Sequence, residues 1–190
     1  MRYPPAMSDL RLRTERLELI AADEAMLVAA MRDRDELARL LDAAIPTSWP
    51  PELLDAAALQ YTLDKVRQGP GHGGWWMWFV LLVDGVERTL IGSGGYKGPP
   101  VSFRGQDGVV EVGYGILPDF RGRGYATELT KALIERAFAH PAVTGVAAET
   151  LPEFAASIRV MSKCGMAFIG DGSEPGTIRY EVMREKREGQ

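Results

Sequence analysis

The tightest constraint on this chain lies between residues 109 and 138, where a strand, a short loop, a glycine-rich turn and a helix follow one another. The β-branched, alternating run Val109 to Leu117 predicts a strand. Pro118, Asp119 and Phe120 make a short loop, Arg121-Gly122-Arg123-Gly124-Tyr125-Ala126 follows, and a helix runs on to Phe138. The first turn of a helix carries N–H groups without intrahelical partners and the positive end of the helix dipole. A phosphate or pyrophosphate fits there. Gly122 and Gly124 allow positive φ and close approach of a bulky ligand. Arg121 and Arg123 bring two guanidinium groups to the same place, and arginine suits phosphate oxygens.

Ala126, Leu129, Leu133 and Ala137 form one apolar helical stripe, widened by Ile134 and Phe138, with Glu128, Lys131, Glu135 and Arg136 off it. On the strand, Val110, Val112, Tyr114 and Ile116 share one face, and Val109, Glu111, Gly113, Gly115 and Leu117 share the other. The first face is clothed. The second has a lone carboxylate beside two bare positions, where something can approach the backbone. A phosphate cradle at one end and a slot with a carboxylate at the other point to a long phosphorylated ligand, provided that no bulge shifts the phase.

A chain of 190 residues with 46% hydrophobic and 25% charged residues has the composition of a soluble globular protein with one sizeable core. A single domain over residues 9–185 is expected, with a loose leader at 1–8 and a frayed tail at 186–190. The net charge of −4 argues against a general nucleic-acid binder. The lone Cys164 permits neither an internal disulfide nor a zinc–cysteine cluster, and fits a reducing cytoplasm. No signal segment or bilayer-length apolar run is expected, so membrane partners are not. His72 and His140 are isolated, and no cluster has metal-ligand spacing.

In chain order, Leu10–Ala21 reads as a strand and Asp23 as the N-cap of a helix to Met31. Asp33–Ala44 continues as helix, and Pro50-Pro51 opens another with Leu54, Ala57, Ala58, Tyr61 and Val66 on one side. Trp75–Val83 and Thr89–Tyr96 flank the Asp84-Gly85 hairpin. Lys97–Gly108 reads as a polar loop. After the central unit come a strand at Val143–Thr150, a helix at Ala155–Cys164 and strands at Met166–Gly170 and Thr177–Met183.

The hexapeptide Arg121 to Ala126 resembles motif A of the GCN5-related N-acetyltransferases, Gln/Arg-x-x-Gly-x-Gly/Ala, and here it stands in the strand-to-helix context that gives such a motif meaning. Thr14-Glu15-Arg16-Leu17-Glu18-Leu19 is similar to the opening strand of the RimJ/RimL (ribosomal-protein-alanine acetyltransferase-like) branch. Leu151-Pro152-Glu153 with Ala156 through Met166 resembles that branch's late helix and the strand entry after it. The resemblance implies an α+β acyl-CoA N-acyltransferase fold: a mixed, mostly antiparallel sheet of about seven strands, helices on both faces, and splayed fourth and fifth strands, here Val109–Leu117 and Val143–Thr150.

It further implies acetyl-CoA as donor and a primary amine as acceptor, either a protein N-terminus or a small molecule, in a monomer or homodimer. The pyrophosphate would lie on the amides of Arg121, Gly122, Arg123, Gly124, Tyr125 and Ala126, and the pantetheine arm along the backbone of Ile116 and Leu117. Glu111 is the candidate base; the alternative is a salt-bridged carboxylate. The superfamily's thiolate donor, a tyrosine, is replaced by Met161, which leaves the Ser157 hydroxyl one turn earlier as second choice; the alternative is a helical serine bonding its own backbone. Phe154 stands where the family favours asparagine. Trp49 lies in the region that overhangs the acceptor, with core packing as its alternative. A non-catalytic acyl-CoA binder is the rival reading. A nucleotide enzyme is a weaker one, because the cradle lacks the lysine–serine/threonine ending of a P-loop.

Overall fold

The structure, a computed structural model, describes residues 10–69, 74–103 and 106–184. The expected leader, the tail at 186–190 and the turn around His72 lie outside the described residues. The chain order is β1 (Arg11–Arg13), β2 (Leu17–Ala21), α1 (Glu24–Arg32), α2 (Arg34–Leu41), α3 (Ala56–Gln68), β3 (Met77–Asp84), β4 (Glu87–Tyr96), β5 (Val101–Phe103), β6 (Gln106–Ile116), α4 (Tyr125–Ala139), β7 (Gly145–Thr150), α5 (Ala155–Lys163), β8 (Ala167–Asp171) and β9 (Ile178–Met183). A single 3₁₀ turn, Pro118–Phe120, links β6 to the loop before α4. Among the described residues no helix is long and apolar enough to cross a membrane.

This is a mixed α+β fold. Its sheet runs β1-β2-β3-β4-β6-β7-β9-β8, with β5 pairing to β6 beside that path. Every pairing is antiparallel except β6 with β7. Two strands exceed the expected seven. The expected first strand is split, because the Thr14 hydroxyl accepts from Leu17 N–H at 3.0 Å and turns the chain between β1 and β2. The expected loop Lys97–Gly108 contains β5.

Helix starts follow local chemistry. Asp23, Asp33 and Asp55 each accept a hydrogen bond from the amide three residues on and cap α1, α2 and α3. The third case corrects the expected start at Pro50-Pro51. Leu54 N–H donates to the Pro51 carbonyl in a tight turn, and the helix begins only at Ala56. Its inward face is then Leu59 and Leu63, while Tyr61 points outward.

Two apolar clusters lie on the two sides of the sheet. Trp78 and Phe79 are neighbours on β3 and both fully buried, one in each cluster. Helices α1, α2 and α3 contribute Leu27, Leu37, Leu41, Leu59 and Leu63 to one cluster, and α4 and α5 contribute Leu129, Leu133, Ile134, Ala137 and Met161 to the other. The stripe on α4 holds with one correction. Arg136, expected off it, is buried with its guanidinium 4.6 Å over the Trp78 ring and 5.3 Å over that of Trp75. A cation in an aromatic cage can stay buried because the ring faces are electron-rich.

Leu129 sits on Gly94 of β4, where an added Cβ would come within 3.1 Å of its methyl carbons. The glycine is what lets α4 approach the sheet so closely. Leu129→Ala is expected to destabilise the chain by about 2–5 kcal/mol in denaturant melts, while Leu53→Ala, at an exposed site, should change stability by under about 0.5 kcal/mol.

Candidate functional site

Strands β6 and β7 stay together for only three residue pairs, ending at Glu111 with Ala147. Beyond that point β6 pairs with β4 as far as Ile116, and β7 pairs with β9 as far as Thr150. The two strands part into a wedge. The Leu117 N–H donates to Ile91 O at 2.8 Å, and Glu111 O accepts from Lys97 N–H at 2.9 Å. Odd-numbered residues of β6 therefore aim their backbone groups at β4, and alternation turns those of Val112, Tyr114 and Ile116 into the wedge. The β4–β6 register has no bulge, so the two faces of β6 fall as the alternation predicts. Val110, Val112, Tyr114 and Ile116 pack on the α4 and α5 side, and Glu111, Gly113 and Gly115 face the other way. A Cβ at Gly113 would meet nothing within 4 Å, and one at Gly115 would meet Pro51 at 3.3 Å.

At the outer end of the wedge, Gly122 and Gly124 take φ of +78° and +85°, a conformation that side-chain-bearing residues rarely adopt. Gly124 is the N-cap of α4 and makes no side-chain cap. The first backbone bond of the helix runs from Glu128 N–H to Gly124 O, so among the described residues the amides from Gly122 to Thr127 have no acceptor. Tyr125 is buried and Ala126 half-buried, which leaves their contribution to the backbone.

The two arginines are not equivalent. Arg121 folds back: its Nε donates to Ile116 O at 2.9 Å, and its Nη2 lies 3.3 Å from a Glu52 carboxylate oxygen. The Arg123 side chain is exposed, with its guanidinium 6.0 Å over the Phe120 ring. Two partners of the cradle were not foreseen. Arg16 donates to Arg123 O at 3.0 Å, stacks 4.6 Å over the Tyr125 ring and pairs with Glu128 at 2.7 Å. Glu128 also accepts from Thr14 Oγ1 and Arg16 N–H. The turn between β1 and β2 thereby clamps the first turn of α4. Burial pushes the Glu128 pKa up, but the hydrogen bonds from Thr14 and Arg16 outweigh it and hold the carboxylate below its ordinary range. Leu117, expected to offer backbone, has none free: its N–H is on Ile91, and its C=O accepts from Phe120 at 3.0 Å. Alternation instead turns the backbone groups of Tyr114 and the N–H of Ile116 toward the wedge.

At the inner end, Glu111 is 12% exposed and paired with Lys97, with Arg179 Nη1 at 3.9 Å from its other oxygen. Arg179 also pairs with Glu149 at 2.9 Å and with Glu181. These side chains share a face because β6, β7 and β9 are in register there, Glu111 opposite Ala147 and Ala147 opposite Glu181. Period-two alternation along Thr177–Met183, carried across the sheet, is the sequence signal that marks Arg179 and Glu181. Glu149 accepts from Ser173 N–H and Oγ at 2.7 Å each and from Arg179. Burial raises its pKa, and those bonds more than reverse the effect. Glu149 is thus a pin for the β8–β9 turn, whereas among the described residues the Glu111 carboxylate meets side-chain cations.

Ser157 lies in the first turn of α5, half-buried, and its backbone carbonyl accepts from Tyr114 Oη at 3.2 Å across the wedge. Burial pushes the Tyr114 phenol well up, so it remains a donor. Met161 is 1% exposed in the core, and Phe154 begins α5 without a side-chain cap. Burial also raises the Cys164 thiol to about 11, which leaves no nucleophilic thiolate near neutral pH. Trp49 corrects the expectation of an acceptor contact. It is 7% exposed and packs 5.8 Å from the Phe79 ring in the α1–α3 cluster, so its side chain belongs to the core.

The acetyltransferase (GNAT) domain model matches residues 11–167 of the chain. An uncharacterized N-acetyltransferase of Bacillus subtilis, YjdG, is 25% identical over 154 residues, 81% of this chain and 88% of that protein. Among solved structures, an acetyltransferase from Agrobacterium tumefaciens superposes with TM-score 0.62 at 24% identity, covering 97% of this chain and 100% of that one. A RimL ribosomal L7/L12 alpha-N-protein acetyltransferase in complex with coenzyme A superposes with TM-score 0.61 at 16% identity, covering 90% and 95%.

The depressed carboxylates set a pH response. A group whose folded pKa lies below its unfolded value stabilises above the unfolded value and loses that contribution as pH falls through the folded one. Thermal stability should therefore drop as pH falls from about the ordinary 4.5 downward. Melting scans of Glu128→Gln and Glu149→Gln between pH 6 and 2 should each be flatter than the parent's; curves parallel to the parent would remove these carboxylates as the cause.

Proposed function

The chain belongs to the GNAT acetyltransferase family, which makes it an acetyl-CoA-dependent enzyme, and from that premise we propose that it moves acetyl to a primary amine by direct attack in a ternary complex. The observation that carries this reading is the wedge itself, with uncapped amides at one end and Glu111 on the opposite face at the other. The residues fit the donor. Bare amides and two left-handed glycines match a diphosphate, and the open edge of Tyr114 and Ile116 matches an extended pantetheine arm added like a strand. Bound acetyl-CoA supplies an activated thioester carbonyl.

The chain's own groups then have distinct tasks. The amides from Gly122 to Ala126 hold the diphosphate, and Arg123 adds the free guanidinium. Arg121 fixes the end of β6 through the Ile116 carbonyl. Backbone N–H groups of β6 orient the acyl carbonyl and stabilise charge that develops on its oxygen. Glu111 takes a proton from the acceptor ammonium, directly or through a water. The half-buried Ser157 hydroxyl donates a hydrogen bond toward the departing sulfur, and the Tyr114 phenol, donating to the Ser157 carbonyl, holds the start of α5 in place for it. The acceptor is a protein N-terminal amine or a small amine. The likeness of Thr14–Leu19 to the RimJ/RimL branch supports the former.

Three measurements test the reading. In calorimetry CoA should bind and ATP should not. Arg123→Ala should weaken CoA about tenfold, near 1.4 kcal/mol, and more than Arg121→Ala does. In a thiol-release assay over peptides with free N-termini and small amines, Glu111→Gln should lower kcat about 10²–10⁴-fold and flatten the acidic limb of the pH profile. CoA binding without turnover of any acceptor would overturn the enzymatic role, and an unchanged profile would remove Glu111 as base.

A further inference from the structure

We propose that Lys97 is an acceptor within the chain itself: with acetyl-CoA bound and no external amine, its Nζ is acetylated. This rests on the reading above, in which Glu111 is the base. Three observations carry it. Lys97 and Glu111 are direct cross-strand neighbours, since the register pairs Tyr96 with Val112 and the Lys97 N–H donates to Glu111 O at 2.9 Å. Directly opposed residues send their side chains from the same face, here the face of the bare glycines. The Lys97 ammonium is also ion-paired with Glu111 Oε1, at the residue where β6 and β7 part. Finally, the Lys97 side chain is 61% exposed and can move, while the carboxylate it touches is largely buried.

An acceptor amine must reach the mouth of the wedge as an ammonium, within hydrogen-bond reach of the base that deprotonates it. The Lys97 nitrogen already holds that position. Lys65, by contrast, lies over the Tyr61 ring. Tethering the amine beside the reaction site replaces a bimolecular encounter with an intramolecular one. The step balances. Glu111 removes one proton from the ammonium, the freed lone pair bonds to the acetyl carbonyl carbon, the carbon–sulfur bond breaks, and the nitrogen's second proton passes to the departing thiolate to give the thiol. The products are Nε-acetyl-Lys97, CoA and one net proton. The amide carries no charge, so Glu111 loses its nearest cation and opens to an outside ammonium.

The test is made on the full chain. Incubated with acetyl-CoA alone, it should gain one increment of about 42 Da per chain. Peptide mapping should place the acetyl group on Lys97 at least about tenfold faster than on Lys65, Lys131 or Lys163. Lys97→Arg should abolish the increment, Glu111→Gln should slow it by about 10²-fold or more, and an acceptor found in the panel should compete with it. Without acetyl-CoA, the Nζ resonance of ¹⁵N-labelled Lys97 should shift in Glu111→Gln; no shift would remove the contact. Labelling of Lys97 at the rate of the other lysines overturns the proposal. If external amines still turn over, only this inference falls. If CoA does not bind at all, the functional reading falls with it.

Discussion

The structure depends on the parting of β6 from β7 after Glu111 and Ala147. Two strands that separate in the middle of a sheet leave backbone groups without ladder partners, and buried groups left unpaired cost free energy. The fold limits that cost on each side. Each strand keeps its other neighbour, β4 for β6 and β9 for β7. Arg121 Nε covers the Ile116 carbonyl, and Tyr114 reaches over the wedge to the Ser157 carbonyl. What stays open is one edge of β6 from Val112 to the Ile116 N–H, with the uncapped start of α4 beyond the Pro118–Phe120 turn. Unsatisfied amides in a line are a binding surface for a ligand that alternates acceptors and donors, as a diphosphate followed by two amides does.

The organising unit was legible because its signals are local. Alternation placed Glu111, Gly113 and Gly115 on one face of β6, and the glycine spacing placed two left-handed residues before α4. What was hidden depends on contacts distant in sequence. Nothing near Arg121 announces that it turns back to Ile116 and Glu52, and nothing near Trp49 announces Phe79. Arg136 read as a surface residue because its cage is assembled from Trp75, Trp78 and Tyr96, some forty to sixty positions earlier. The start of α3 was misplaced for a local reason: proline suits both a first helical turn and the tight turn that Pro51 makes with Leu54, and Asp55 decides between them as a cap.

Electrostatics separates the carboxylates that composition alone cannot rank. Glu149 and Glu128 receive several hydrogen bonds each and act as fasteners, one for the β8–β9 turn and one for the β1–β2 turn against α4. Among the described residues Glu111 is bound by ions, one of them on an exposed lysine. A partner that can swing away costs little to exchange for another ammonium, whereas a carboxylate fastened to backbone would have to give up part of the fold.

Helix placement decides from which side each reactant arrives. In the half of the sheet containing β6, β7 and β9, α4 and α5 cover the face that bears Val112 and Tyr114. The helices α1 to α3 cover the other half, on the opposite face, and their cluster reaches Leu117, the residue just past the end of β6. The face with Glu111, Gly113 and Gly115 is therefore left without a helix along most of β6. On the function proposed above, a donor anchored on the start of α4 would enter the wedge from the helical side, and an amine would reach Glu111 from the bare side. Under that proposal the reacting centres would meet at the level where β6 and β7 part.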